Sequence, residues 1–275
     1  MASMFRAASV AFFCVLSFAA AVAQPVKPSA STQGFHSRAR LIGGGQQGEH
    51  WLAGVEITLD PGFKTYWRNP GDSGLPPRFD WSGSENVAGA EIRWPAPKRH
   101  VDAAGVAYVY GKQAVIPILV KPKDPAKSVK LVLALDYGVC NDICIPASAN
   151  LTLDLGGADS ERKAIEAALA KVPLPQPLGA QADLSILSIA PQVGDKPAFA
   201  VTVRAPAGTK PALFPEGPEN WFVSASHPAD GDRFTVTVEE KPKDASGSVP
   251  LRLTLVAGDK AIETEVSLDG SGPPR

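Results

Sequence analysis

The sequence predicts an all-β protein built as two antiparallel β-sandwiches joined by a short helix and a proline-rich linker. Three observations carry that expectation. Short segments alternate apolar and polar residues as strands do, 25 glycines and 26 prolines punctuate them, and only one stretch near the middle has helical periodicity.

In chain order, 51–59 alternates in part and ends at Asp60-Pro61-Gly62, a turn signal. Further strands are expected at 78–81, 90–94, 106–110, 115–120, 129–136 and 150–155. The helix follows. Asp159 or Ser160 can cap it, Glu161 lies in its first turn, and Ala164, Ile165, Ala168, Leu169 and Val172 make an apolar face. Pro173 ends it, and Pro173-Leu174-Pro175-Gln176-Pro177 reads as a stiff linker. Beyond it, strands are expected at 184–189, 198–204, 221–224, 233–239, 249–256 and 261–268. The cleanest alternation falls at 234–238 and 251–255, so each of these should bury one face. No sequence repeat relates the halves.

The amino terminus reads as a cleavable signal peptide over residues 1–23. Arg6 gives a positive region, 7–20 is apolar or small, and Ala21-Val22-Ala23 has the form of a cleavage site. The expected division is then 24–158 for the first sandwich, 159–181 for helix and linker, and 182–275 for the second sandwich. No later segment is apolar enough to cross a bilayer, so an exported, soluble mature chain is expected, in an oxidising compartment.

Without Arg6 the chain carries 26 basic against 28 acidic residues. That balance gives no electrostatic footprint for nucleic acid. The four histidines, His36, His50, His100 and His227, are scattered without metal-ligand spacing, and both methionines, Met1 and Met4, lie in the leader. No Ser-His-Asp arrangement, carboxylate pair or phosphate-cradling glycine loop stands out, and no metal or organic cofactor is expected.

Cysteine usage is the most informative feature. Cys14 lies in the leader, which leaves Cys140 and Cys144 flanking Asn141-Asp142-Ile143. As a staple, such a bridge closes a ring of about five residues and contributes about 2 kcal/mol on the chain-entropy model. A chain of this size does not depend on so small a clip. Composition by itself leaves a structural bridge and thiol–disulfide chemistry evenly matched.

The stretch from Asp136 to Pro146, with Val139-Cys140-Asn141-Asp142-Ile143-Cys144-Ile145 at its centre, resembles the cysteine motif of the amino-terminal periplasmic domain of the DsbD/ScsB thiol:disulfide reductases. Two other segments resemble the same group. They are the hairpin running from Pro61 through Tyr66, Trp67, Arg68 and Asn69 to Pro76, and Tyr108-Val109-Tyr110-Gly111. The ScsB-like branch is the more similar. The resemblance is specific over roughly residues 50 to 155.

What it implies is an immunoglobulin-like domain in the periplasm whose Cys140/Cys144 pair relays reducing equivalents. Its partners would be thioredoxin-like proteins and a membrane thiol:disulfide reductase, with Cys144 meeting the partner and Cys140 resolving. It also implies an aromatic cap, for which Tyr66, Trp67, Tyr108, Tyr110 and Tyr137 are candidates, with Asp142 beside the pair. Rings of this kind also fill sandwich cores, and Arg68 and Asp72 read as a salt bridge or turn hydrogen bond ahead of site electrostatics. Between Val129 and Asn150 the only cation is Lys130, whereas Asp136 and Asp142 are near in sequence, so nothing local favours a thiolate. Two other readings stand beside the relay: a binding or chaperone-like sandwich with a structural bridge, and a Cu(I)-binding dithiol.

Overall fold

Alternating apolar positions build nearly all of the chain into antiparallel sheets. The structure, a computed structural model, describes residues 30–103, 105–157, 159–226, 231–243 and 249–268. The expected leader over 1–23 lies outside the described residues, as do the last residues of the expected second sandwich.

The first sandwich has eleven strands among the described residues. They are β1 (Ser31–Gly34), β2 (Ser37–Gln47), β3 (His50–Leu59), β4 (Lys64–Gly71), β5 (Arg78–Asp80), β6 (Val87–Ile92), β7 (Lys98–Asp102), β8 (Gly105–Gly111), β9 (Gln113–Pro122), β10 (Lys130–Cys140) and β11 (Cys144–Asp154). One sheet runs β1-β2-β3-β9-β6. The other runs β11-β10-β4-β8-β7, with β5 also paired to β10. Alternate residues of β10, from Leu131 to Val139, face inward and meet Val55, Ile57, Ile116 and Ile118 of the opposite sheet, all but fully buried. Each such aliphatic side chain stabilises the fold by about 1.5–3 kcal/mol.

The helix α1 (Arg162–Leu169) is shorter than the sequence suggests, and neither Asp159 nor Ser160 caps it. Glu161 occupies the N-cap position without a side-chain cap bond, because its carboxylate reaches instead to Arg40 at 3.1 Å and its N–H donates to Gly43 O. Ile165 is fully buried against Ile42 and Leu52, which seats the helix on the first sandwich.

The second sandwich contains β12 (Leu174–Pro175), β13 (Ser185–Gln192), β14 (Ala198–Arg204), β15 (Ala212–Glu216), β16 (Phe222–Ala225), β17 (Arg233–Glu240), β18 (Val249–Ala257) and β19 (Lys260–Leu268). Its sheets run β12-β19-β18-β15 and β13-β14-β17-β16. Phe234, Val236, Leu253 and Leu255 meet in its core, as their alternation requires. The linker is not a free spacer. Leu174 and Pro175 pair in parallel with Ile262 and Glu263 and become an edge strand, where a proline is tolerated.

Four strands of the first sandwich escape the sequence pattern: β1, β2, β4 and β7. In β2 the run Gly43-Gly44-Gly45 blurs the alternation and coincides with a register shift between Gly43 and Gly45. In β4 the ladder to β8 is interrupted: Tyr66 opposes Val109, and the next paired residue is Gly71, opposite Ala107. Five steps along β4 thus span two along β8, and residues 67–70 bulge off the sheet.

Candidate functional site

The cysteine pair sits at the tip of the β10–β11 hairpin. Register along these strands is unbroken from Lys130↔Asp154 to Cys140↔Cys144, so the ladder itself brings the two cysteines opposite each other. They are bonded as a disulfide, with Cα atoms 4.2 Å apart. Asn141, Asp142 and Ile143 form the three-residue turn, in which Asn141 N–H donates to Ile143 O at 3.3 Å. The two sulfur-bearing residues differ sharply in exposure: Cys140 is 1% exposed, whereas Cys144 is open to solvent. Beside it Ile143 is 71% exposed, an apolar side chain standing at the tip.

Parity along the strands decides what surrounds the pair. Leu135, Tyr137 and Val139 of β10 point into the sandwich, so Cys140 points to the outer face of its sheet. There it joins Tyr66, Ala107 and Val109 in a small buried cluster. The Tyr66 hydroxyl lies 2.8 Å from Cys144 Sγ, and because a disulfide sulfur carries no hydrogen, the phenol donates. Burial, aided by the charge of Asp102, pushes the Tyr66 phenol above its ordinary range, which keeps it a neutral donor at physiological pH.

A short segment closes over this cluster. Gly74 adopts φ +137°, and a Cβ there would fall 2.3 Å from the Tyr66 ring. A Cβ on Gly138 would fall 2.9 Å from Leu75 Cβ and 3.0 Å from the same ring. Leu75 and Tyr66 therefore lie across Gly138, two residues from Cys140. Small residues at both places are what let the cover sit down.

The structure also brings in charged residues that sequence reasoning missed. Lys64 is the cross-strand neighbour of Cys140 on β4, and its side chain is largely buried. Its ammonium donates to His100 Nε2 at 3.0 Å and to Asn141 O at 3.4 Å, with Asp102 Oδ2 3.9 Å away. His100 Nε2 is also 3.2 Å from Asp102 Oδ2, so it can accept from the ammonium or donate to the carboxylate, one at a time. Lys130, the only cation near the pair in sequence, pairs with Glu85 at the far end of β10, about 30 Å off by strand rise. The cation at the site is thus Lys64, from a strand 76 positions earlier in the chain than Cys140. Its place in the resembling hairpin was the one available signal.

Among the aromatic candidates, only Tyr66 meets the sulfurs. Trp67, Tyr108 and Tyr110 have the opposite parity and join Phe214 of the second sandwich, with Tyr108 4.9 Å and Trp67 6.0 Å from that ring between centroids. The Tyr110 hydroxyl donates to Pro95 O at 2.6 Å. Tyr137 is a core residue bonded to Ser37 Oγ at 2.8 Å. Asp142 lies exposed in the hairpin turn, and Asp136 accepts from Ser148 at 2.6 Å. Arg68 pairs with Glu216 and Glu263, and Asp72 Oδ2 accepts the Val106 N–H at 2.7 Å. Among the described residues, no group of three or more His, Cys, Asp or Glu is placed to hold a metal ion, and no helix is long and apolar enough to cross a membrane.

The fold and site together define a β-sandwich that carries an outward-facing disulfide on a hairpin tip, one cysteine buried and the other exposed. Residues 38–155 match the family described as the N-terminal domain of thiol:disulfide interchange protein DsbD, and this segment of the chain is a domain like those of that family. Among solved structures, the chain is similar to the N-terminal periplasmic domain of ScsB from Proteus mirabilis, with a TM-score of 0.67 and 21% identity. The match covers 88% of this chain and 99% of that one. At that identity the likeness is one of fold, and it extends over both sandwiches. A conserved domain protein from Bacillus anthracis aligns over 90% of this chain and 91% of its own at 10% identity, but with a TM-score of only 0.25. No curated protein matches the sequence.

Proposed function

We propose that this protein carries out thiol–disulfide exchange in the periplasm, relaying reducing equivalents between thioredoxin-like proteins or a membrane reductase and their periplasmic partners. One observation carries the reading. Of two bonded cysteines, Cys144 is open and Cys140 is 1% exposed, the asymmetry needed for one sulfur to be attacked while the other leaves. The match of residues 38–155 to the DsbD amino-terminal family supports it.

The step balances as follows. A donor thiolate attacks Cys144 Sγ, the Cys140–Cys144 bond breaks, and Cys140 departs as a thiolate. The donor's second thiolate then attacks its own sulfur in the mixed disulfide and releases Cys144. The donor leaves oxidised by two electrons and this protein holds a dithiol. In the onward direction the Cys144 thiolate attacks an acceptor disulfide, and Cys140 resolves the intermediate. Tyr66 donates to the Cys144 sulfur of the disulfide under attack, and Lys64 stands beside Cys140 where negative charge develops. In this proposal Cys140 and Cys144 are the catalytic residues.

The test is direct. The oxidised protein is mixed with a reduced thioredoxin-like protein under native conditions, and the appearance of two thiols is followed. Opening within seconds to minutes is expected. A bridge that stays closed would leave the pair as a structural clip.

A further inference from the structure

We infer that the second sandwich is a brace for the redox site, holding Tyr66 and the segment that closes over its ring in place through residues 67–69 of β4. This rests on the exchange reading above and assigns a role to the cysteine-free half of the chain.

The bulge in β4 is the starting observation. Residues 67–70 make no ladder with β8, so something else must hold them. Each of the first three is fastened to the second sandwich. Trp67 is fully buried and meets Phe214 edge to face. The Arg68 guanidinium donates to Glu216 at 2.6, 2.9 and 3.2 Å and also reaches Glu263, while lying 4.5 Å over the Trp67 ring. Asn69 Nδ2 donates to Pro215 O at 3.0 Å.

The charges are nearly withdrawn from water. Arg68, Glu216 and Glu263 side chains are 20%, 14% and 20% exposed. Burial works against the guanidinium charge, but the hydrogen bonds and charges of Glu216 and Glu263 outweigh it and hold its pKa above the ordinary value. Arg252, 3.4 Å from Glu263, offsets part of the excess negative charge. Removing one member of such a cluster strands the others, so it acts as a fastener of defined geometry.

The residues on either side of the fastened segment are the ones at the cysteines. Immediately before it, Tyr66 donates to Cys144 Sγ. Just after it, Gly71 N–H donates to Asn69 Oδ1 at 3.0 Å, Asp72 N–H donates to Val106 O at 2.8 Å, and Asp72 Oδ2 accepts the Val106 N–H. The chain then returns through Gly74 and Leu75 onto the Tyr66 ring. Moving residues 67–69 by an ångström therefore moves both the donor on the sulfur and the segment packed on that donor's ring. Arg68, Asn69, Glu216 and Glu263 are positioning residues, since none touches a cysteine.

The experiment uses the full chain carrying Glu216→Gln with Glu263→Gln, and separately Asn69→Ala, which removes the two side-chain hydrogen bonds of Asn69, to Pro215 O and from Gly71 N–H, and leaves the ion cluster intact. The control is Lys196→Gln, which breaks an exposed pair with Glu239 elsewhere on the second sandwich. The rate at which dithiothreitol opens the disulfide is measured below the onset of unfolding, beside the thermal midpoint. A loosened cover predicts a rate at least fivefold above wild type in the double variant, a smaller rise in Asn69→Ala, and no change in the control. Rates within twofold of wild type in Asn69→Ala and in any folded form of the double variant would overturn the brace, whatever their midpoints. The two readings fail separately. A bridge refused by every thioredoxin-like protein but faster with dithiothreitol in the variants removes the exchange role and keeps the brace.

Discussion

Tyr66 and Trp67 are consecutive residues of one strand, and they serve opposite neighbours. Tyr66 turns outward to Cys144, a neutral donor 2.8 Å from the sulfur. Trp67 turns the other way, loses all contact with water and anchors the strand on Phe214. The difference is a consequence of pleating: adjacent side chains of a strand must face opposite sides. It teaches that a single short strand can place a ring on a reactive group and tie that ring to a second body of structure.

Substitutions on the two faces should separate. The largest effect is expected from Trp67→Ala, which empties a fully buried site shared by both sandwiches and should cost about 3–5 kcal/mol in urea unfolding. If the loss is below about 1 kcal/mol, the anchor is not the one described. Gly74→Ala comes next. Its Cβ would meet the Tyr66 ring at 2.3 Å from a positive φ, so about 1–3 kcal/mol of strain is expected, together with a faster reaction of the disulfide with small dithiols. Equal stability to wild type would show that the cover does not pack as described.

Tyr66→Phe keeps the ring and removes the donor. A hydrogen bond of about 0.5–1.5 kcal/mol is then lost at the sulfur, so exchange with a thioredoxin-like protein should change by about two- to tenfold while the thermal midpoint moves little. A midpoint that falls without any change in exchange would assign Tyr66 to packing alone. The smallest effect is on pH dependence. The folded-state pKa of Tyr66 is raised, by burial first and by Asp102 second, so its contribution is fully present below the ordinary value of 10.0 and is lost as pH rises through the folded value. For the oxidised protein, the stability difference between wild type and Tyr66→Phe should be flat from neutral pH to about 10 and shrink above it. A difference already shrinking near pH 8 would contradict the raised value.

How much of this was readable from the residues follows the same physics. The cysteine hairpin was accessible because β10 has an apolar run with its cysteine at the end, and the motif around it resembles a known family. Strand β4 was not, because Asn69-Pro70-Gly71 reads as a turn, and it becomes a strand through pairing to Cys140 on one side and to β8 on the other, neither of which is local in sequence. Strand β15 was missed for a similar reason: it carries Pro215, acceptable only because β15 lies at a sheet edge. Parity could have divided Tyr66 from Trp67, but not said which face held the sulfurs. Lys64, His100 and Asp102 come from two strands and converge only through sheet order, which no local pattern encodes. The helix start was misread because Glu161 finds Arg40, a partner 121 positions away.

The central claim is that the open sulfur is where partners react. It is tested by mixing single-cysteine forms, Cys140→Ala and Cys144→Ala, with a thioredoxin-like protein that lacks its resolving cysteine and carries the other as a mixed disulfide with thionitrobenzoate, which departs on attack, and resolving the products without reductant. A covalent one-to-one adduct through Cys144 in Cys140→Ala, with little or none through Cys140 in Cys144→Ala, is the predicted result. Adducts formed equally by both forms, or by neither, would contradict it.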